Sequence, residues 1–189
     1  MFSGCSGLTS LDLSHLDTRN VTNMSSMFSG CSGLTALDLS PLNTSKVSNM
    51  SSMFCDCSGL TSLDLASLDA GKVTNMSGMF RGCSSLTNLD FSLLDTQKVT
   101  DMGYMFCECS SLTALNLTYM NTQKVTEMAW IFKDCSKLIN LSLGDKFTFV
   151  GSNYQLPSGT WYSSDGTAYT SDGTTCTIPN NKADTYTRR

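Results

Sequence analysis

Residues Val21–Ser40 read VTNMSSMFSGCSGLTALDLS, and nearly all of the chain up to Leu143 repeats this stretch. The step between repeats is constant at 26 residues (47 − 21 = 26), as the row Val21, Val47, Val73, Val99 and Val125 shows. Repetition at a fixed period of this size is typical of stacked structural units that bury one continuous core between neighbours. We therefore interpret residues 1–143 as a partial first repeat followed by five full repeats, and residues 144–189 as a C-terminal tail.

Each repeat contains a leucine pattern, LxxLxL, which first appears as Leu8, Leu11 and Leu13. The step of two in its last pair is the period of a β-strand, with both leucines facing the core and the residue between them facing outward. Stacked in register, six such segments predict a parallel sheet along one side of a solenoid. The outward residues form the row Asp12, Asp38, Asp64, Asp90, Asn116 and Ser142.

The leg from Val21 to Cys31 carries apolar residues at i, i+3, i+6, i+7 and i+10. This spacing predicts a helix of up to about two turns, with Thr22 as its N-cap and Gly30 near its exit. The methionines of this leg are predicted to pack in the core, because Met fills irregular gaps well. The predicted fold class is therefore α/β: a leucine-rich repeat solenoid with a parallel sheet on one face, short helices on the other and a small β-rich C-terminal cap.

Six of the nine cysteines occupy a single repeat position: Cys5, Cys31, Cys57, Cys83, Cys109 and Cys135. Such a row predicts a buried cysteine ladder, since free Cys behaves as a small apolar residue. Neighbouring repeats lie about 4.8 Å apart, but their parallel Cβ directions make a disulfide between them unfavourable. We therefore expect reduced, packed thiols.

The tail contains two Asp-Gly pairs, Asp165-Gly166 and Asp172-Gly173, which favour tight hairpin turns. We expect two or three short antiparallel strands that cap the end of the repeat stack, because a solenoid end exposes its apolar cross-section. Trp161, Tyr162 and Tyr169 either cover that end or form an aromatic platform for a sugar. The sequence offers no cap for the N-terminal end, which predicts end-to-end self-association. We also expect the chain to be part of a longer protein, because its first residues already match a repeat.

Composition excludes several classes of function. The chain has 12 Lys+Arg against 16 Asp+Glu, so it offers no basic field for nucleic acid. No apolar run approaches the ~20 residues of a membrane helix, which argues against membrane insertion. His15 is the single histidine, at a position that varies between repeats, and neither a catalytic triad nor a zinc motif is present. We predict no enzyme activity, no catalytic residue, no metal site and no cofactor.

The outward row on the predicted sheet is the candidate binding face. Its residues, with the small polar neighbours beside them, are Asp12, Asp38, Asp64, Asp90, Asn116, Ser62 and Asn88. Aspartates about 5 Å apart repel, so we expect their charges to be offset by hydrogen bonds to Ser14, Ser40, Ser92 and Thr118 or to backbone amides. The alternative is recognition of a cationic partner or weak binding of Ca²⁺. A lysine row, Lys46, Lys72, Lys98 and Lys124, is predicted to balance nearby acidic charge.

The repeat VTxMxxMFxxCxxLTxLDLSxLxT resembles that of the BspA-like bacterial leucine-rich repeat surface proteins. The resemblance covers residues 1–143, and the segments LPSGTW and DGTAYT resemble the region C-terminal to such repeats in gut bacterial members. It implies an extracellular, cell-surface module for adhesion or protein interaction, whose partner is a protein or glycan on a host or neighbouring cell. The chain shows no signal peptide, so this location is inferred for the parent protein. A structural spacer, or carbohydrate binding through the tail aromatics, remains the alternative.

Overall fold

The computed structural model describes residues 1–189. The strands are β1 (Ala114–Leu117), β2 (Asn140–Leu143), β3 (Gly159–Tyr162), β4 (Ala168–Ser171) and β5 (Asp184–Arg188), and no helix is present. They form one five-stranded sheet in the order β1-β2-β5-β3-β4, in which only β1 and β2 run parallel. The α/β prediction with short helices is therefore wrong, and so is the extended parallel sheet. Of the earlier leucine segments, one contributes a single parallel bridge, between Asp90 and Asn116.

The leg predicted to be a helix is a chain of tight turns, and we call it the turn leg. Ser26 and Gly30 have φ angles of 54° and 74°, in the left-handed region that interrupts any α-helix. The Met27 amide closes a turn on the Met24 carbonyl at 3.2 Å, whereas the Met24 amide donates to the Asn49 carbonyl of the next repeat at 2.9 Å. Alternate amides thus bond within the leg and across to the neighbouring repeat.

The physical reason for the turns is backbone hydrogen bonding. A helix of two turns leaves about four amides and four carbonyls unpaired at its ends, and these would be costly beside a buried core. Stacking places a carbonyl of the next repeat within reach of every second amide, so the turns leave fewer groups unpaired. Turns of four residues also return every third or fourth side chain to the core, as Met24 and Met27 illustrate. The apolar spacing of such turns is therefore the same as that of a short helix.

The interior is one apolar cluster of 52 buried residues that runs through repeats and tail. At its centre a column of phenylalanine rings stacks with centroid spacings of 5.6 to 6.2 Å and interplanar angles of 3° to 13°. The column consists of Phe2, Phe28, Phe54, Phe80, Phe106 and Phe132. The methionines of the turn leg and of its copies in the later repeats are at most 5% exposed, which confirms that they pack in the core, whereas Met1 of the partial first repeat is 83% exposed.

All nine thiols are free in the structure, and those of the cysteine ladder after Cys5 are buried. Each row member after the first donates its thiol to the phenylalanine carbonyl of the preceding repeat: the Cys57 Sγ lies 3.1 Å from the Phe28 oxygen, and the Cys83 Sγ lies 3.1 Å from the Phe54 oxygen. The row therefore contributes both packing and a repeated hydrogen bond.

A row of buried threonines joins the repeats at the corner that precedes the turn leg. The Thr44 hydroxyl donates to the Asp69 carbonyl at 3.0 Å and accepts the Asp69 amide at 2.7 Å. Thr18 and Thr96 make the same pair of bonds to the repeats that follow them. Ala70 replaces threonine in one repeat, so the amide and carbonyl of Asp95 lack this partner.

Ala70→Thr is therefore expected to raise the free energy of unfolding by about 1 kcal/mol, because it supplies the missing hydroxyl to a site that already accommodates threonine in other repeats. Urea unfolding followed by far-ultraviolet circular dichroism measures the change. Ala70→Val has the same shape without the hydroxyl and serves as the control. An equal gain from valine would show that packing, and not the hydrogen bonds, is responsible.

The tail forms three antiparallel strands, as expected, and β5 pairs with β2 at the end of the repeat stack. Asp165 shapes the β3–β4 turn by accepting the Thr167 amide at 2.9 Å. Trp161 and Tyr186 are fully buried and join the common core, so the tail closes the apolar cross-section at this end. The division at residues 143 and 144 stays a prediction.

Candidate functional site

A shallow depression of about 500 Å³ lies on the outward face of the leucine segments, across three neighbouring repeats. We call it the sheet-face depression, after the sheet that the sequence predicted for these segments. Its lining is Ser62, Leu63, Asp64, Leu65, Asn88, Leu89, Asp90, Ser92 and Asn116. Five of the seven predicted binding-face residues are thus brought together: Ser62, Asp64, Asn88, Asp90 and Asn116. Asp12 and Asp38 are exposed but lie in earlier repeats, outside the depression.

Each aspartate of the row is held by the backbone amide two residues further on. The Ser92 amide donates to Asp90 Oδ1 at 2.8 Å, and the Ala66 amide donates to Asp64 Oδ1 at 2.9 Å. The corresponding bonds from the Ser14 and Ser40 amides lower the pKa of Asp12 and of Asp38. Backbone amides therefore offset the repulsion between the aspartates of the row, which is the first of the two alternatives given above. Each amide fixes one oxygen of its carboxylate and leaves the other oxygen without a hydrogen bond.

The charged residues give little support to a metal site or to extensive ion pairing. No group of three His, Cys, Asp or Glu side chains in the structure could hold a metal ion. Two ion pairs occur, Arg19–Asp17 and Arg81–Glu108. The lysine row forms none, and Lys46 instead donates to Asn20 Oδ1 at 2.8 Å. That this row balances nearby acidic charge stays a prediction.

Two large apolar side chains project into solvent beside the depression. Leu93 is 71% exposed and Tyr119 is 65% exposed, whereas most other large apolar residues are buried. Both line a second depression of about 270 Å³ that shares Ser92 with the first. Sequence reasoning passed over this pair. The sequence could have indicated the pair through its repeat position, which reads His15, Pro41, Ser67, Leu93 and Tyr119. Only the last two of these residues are large and apolar.

The tail aromatics do not form the predicted sugar platform. Trp161 is fully buried, and its Nε1 donates to the Pro157 carbonyl at 3.1 Å. Tyr169 packs edge-on against Tyr186 with a centroid spacing of 5.7 Å. Tyr162 is half-buried beneath the Arg189 guanidinium, 5.1 Å from its ring centroid. Trp161 belongs to the apolar core and Tyr169 packs against it, so the three rings do not form one flat exposed face.

The structure contains no helix that could span a membrane. A comparison with curated protein sequences gave no match. Two solved structures are similar, each with 21% sequence identity: a leucine-rich repeat protein of T. pallidum, with a TM-score of 0.41, and a leucine-rich cell surface protein of Faecalibacterium prausnitzii, with a TM-score of 0.40. The first alignment covers 69% of this chain and 66% of that protein, and the second covers 78% and 42%.

The chain thus spans less than two thirds of the length of either similar protein. A protein-family model matches two overlapping segments, residues 1–113 and 61–150. Together these segments include every repeat and the first residues of the tail. The chain belongs to the family described as Mycoplasma protein of unknown function, DUF285.

Proposed function

We propose that this chain is a non-enzymatic binding module of the BspA-like kind, which attaches a bacterial cell surface to a protein or glycan on another cell. The observation that carries the proposal is the exposed pair Leu93 and Tyr119 at the edge of the sheet-face depression. Interfaces place apolar and aromatic anchors beside a polar rim, and burying such side chains on a partner is favourable by about 25 cal/mol per Å². The polar rim here is supplied by Asp64, Asp90 and Asn116.

A structural spacer is the second candidate. A spacer needs only regular stacking, and the repeats before Leu93 meet that need with Pro41 or Ser67 at the same position. The exposed leucine and tyrosine add nothing to the common core and are therefore better explained by contact with a partner. The lone histidine, His15, is exposed in the first repeat and outside the depression, which favours binding over catalysis.

The test is cell binding by a double variant, Leu93→Ser with Tyr119→Ser, which restores the residue found at Ser67. Fluorescent beads coated with the purified chain are incubated with cultured epithelial cells and with bacterial cells, and binding is counted by flow cytometry. We expect bead binding to fall about tenfold in the double variant, since interface anchors carry most of the binding energy. Pretreating the cells with protease or with glycosidases separates a protein partner from a glycan.

His15→Ser is the matched control, because it makes the same change at the same repeat position in a distant repeat. Its beads are expected to bind as the wild type does. Unchanged binding by the double variant, or failure of the wild-type beads to bind any of the cells, would contradict the proposal and favour the spacer.

A further inference from the structure

The turn leg carries a second unusual surface, formed by side chains from three consecutive repeats. We call Arg81, Tyr104, Glu108, Trp130 and Lys133 the aromatic patch. The Tyr104 and Trp130 rings meet edge to face, with centroids 4.9 Å apart and an interplanar angle of 79°. The Arg81 guanidinium lies 5.8 Å from the Tyr104 ring centroid, and the Lys133 ammonium lies 4.9 Å from that of Trp130. Arg81 also pairs with Glu108 at 3.3 Å.

The repeats themselves provide an internal comparison for the two rings. The same repeat position reads Ser26, Ser52, Gly78, Tyr104 and Trp130, and every member has a positive φ between 53° and 61°. The turn therefore forms with serine or glycine, and a bulky side chain in this region is disfavoured. The fold does not require the aromatic pair, and the backbone opposes it. Both rings are only partly buried, so they are not explained by the core.

The indole nitrogen of Trp130 adds an independent observation. This Nε1 has less than 1 Å² of accessible surface and no hydrogen-bond partner, and it is the one buried side-chain nitrogen or oxygen in the structure without a partner. An unpaired buried donor is costly, and such groups are rare in native proteins. Lys133 lies over the same ring and makes no ion pair, so no carboxylate holds its long flexible side chain in place.

The chemistry of the patch narrows the class of ligand. Arg81 pairs with Glu108, and Asp134 follows Lys133 in the sequence, so two carboxylates match the two cations and neither a polyanion nor a cationic peptide is favoured. It offers aromatic surface together with both donors and acceptors. Saccharide hydroxyls donate and accept hydrogen bonds, and the C–H faces of a sugar ring match an aromatic side chain in area and polarity.

We propose that the aromatic patch binds a neutral oligosaccharide, with a sugar ring against Trp130 and Tyr104, its hydroxyls bonded to Glu108 and Lys133, and one of them accepting the unpaired indole N–H of Trp130. This site lies on the turn leg, apart from the sheet-face depression, and does not depend on the proposed function. Trp130 is the sensitive reporter, because the second tryptophan, Trp161, is fully buried in the tail.

The experiment titrates the full chain with defined neutral probes while recording tryptophan fluorescence. The probes are chitohexaose, cellohexaose, laminarihexaose, maltohexaose and a mannohexaose, each up to about 10 mM, where a Kd near 1 mM saturates about nine tenths of the sites. We expect at least one probe to change the emission of Trp130 saturably and to give a binding isotherm by calorimetry. Heparin and poly-lysine are the charged comparisons.

Tyr104→Ser and Trp130→Ser restore the side chain of Ser26 and Ser52, so both variants should fold at least as stably as the wild type. They are expected to weaken saccharide binding at least tenfold, whereas His15→Ser, at an exposed position outside both surfaces, leaves it unchanged. The proposal is overturned if none of the five saccharides binds, if only heparin or poly-lysine binds, or if the stably folded serine variants bind as tightly as the wild type.

Discussion

Raising the pH from about 7.5 to about 10.5 is expected to lower the free energy of unfolding by about 2 kcal/mol for each buried thiol whose pKa lies near 12. Burial raises the pKa of Cys57 and of Cys109 from 9.0 to about 12. Burial raises the pKa of Cys83 and of Cys135 as well. The cysteine ladder thus makes the fold sensitive to alkali.

The sign follows from proton binding in the two states. An unfolded thiol ionises near pH 9.0, whereas the folded thiol of Cys57 ionises only near 12. Between these values the folded state binds more protons than the unfolded state, so stability decreases as the pH rises. The contribution is fully present below about pH 9 and is lost by about pH 12. Urea unfolding at several pH values measures this slope.

Serine variants isolate the contribution of the ladder from that of other titrating groups. Cys57→Ser and Cys109→Ser keep a donor to the carbonyls of Phe28 and Phe80 but do not ionise in this range. Each should lose stability at neutral pH, since a hydroxyl replaces a packed thiol, and should show a shallower decline with pH. Cys5→Ser, at the half-buried start of the row, serves as the control for a general effect of the substitution. Slopes equal to that of the wild type in all variants would contradict the prediction.

Phe80→Ala is expected to lower the free energy of unfolding by about 3–5 kcal/mol, the range for removing a buried aromatic side chain. The Phe80 ring is fully buried between those of Phe54 and Phe106, at centroid spacings of 5.7 and 6.1 Å. The Phe91 ring meets it edge-on at 5.9 Å. Neighbouring repeats hold these rings from both sides, so the cavity cannot collapse without shifting the stack.

Urea unfolding at pH 7 measures the loss, and Phe2→Ala provides a matched comparison at the same repeat position. The Phe2 ring is only half-buried and stacks on one neighbour, Phe28, at 5.8 Å. Its removal should cost about a third as much, because less area leaves the core. A loss for Phe80→Ala as small as that for Phe2→Ala would mean that the interior of the stack relaxes around the missing ring.

Much of the interior could be predicted from the 26-residue period alone. A residue type that recurs at one position, such as Cys57 or Phe80, must meet its copies in neighbouring repeats, whatever the local backbone does. Periodicity therefore identified the buried leucines, methionines and cysteines. The turn signals of the tail, such as Asp165-Gly166, likewise indicated antiparallel strands because that chemistry is local.

The backbone of the turn leg and the character of the exposed surface were decided by the tertiary structure. Val21 to Cys31 has apolar spacing that suits both a helix and successive turns, and only hydrogen bonds to the next repeat, such as that from Met24 to Asn49, select the turns. The exposure of Leu93 and the burial of Trp161 depend equally on which segments pack together. The period of the sequence indicates which side chains are neighbours. The choice between turns and a helix depends on whether a carbonyl of the next repeat lies within reach of each amide, and only the stacking of the repeats decides this.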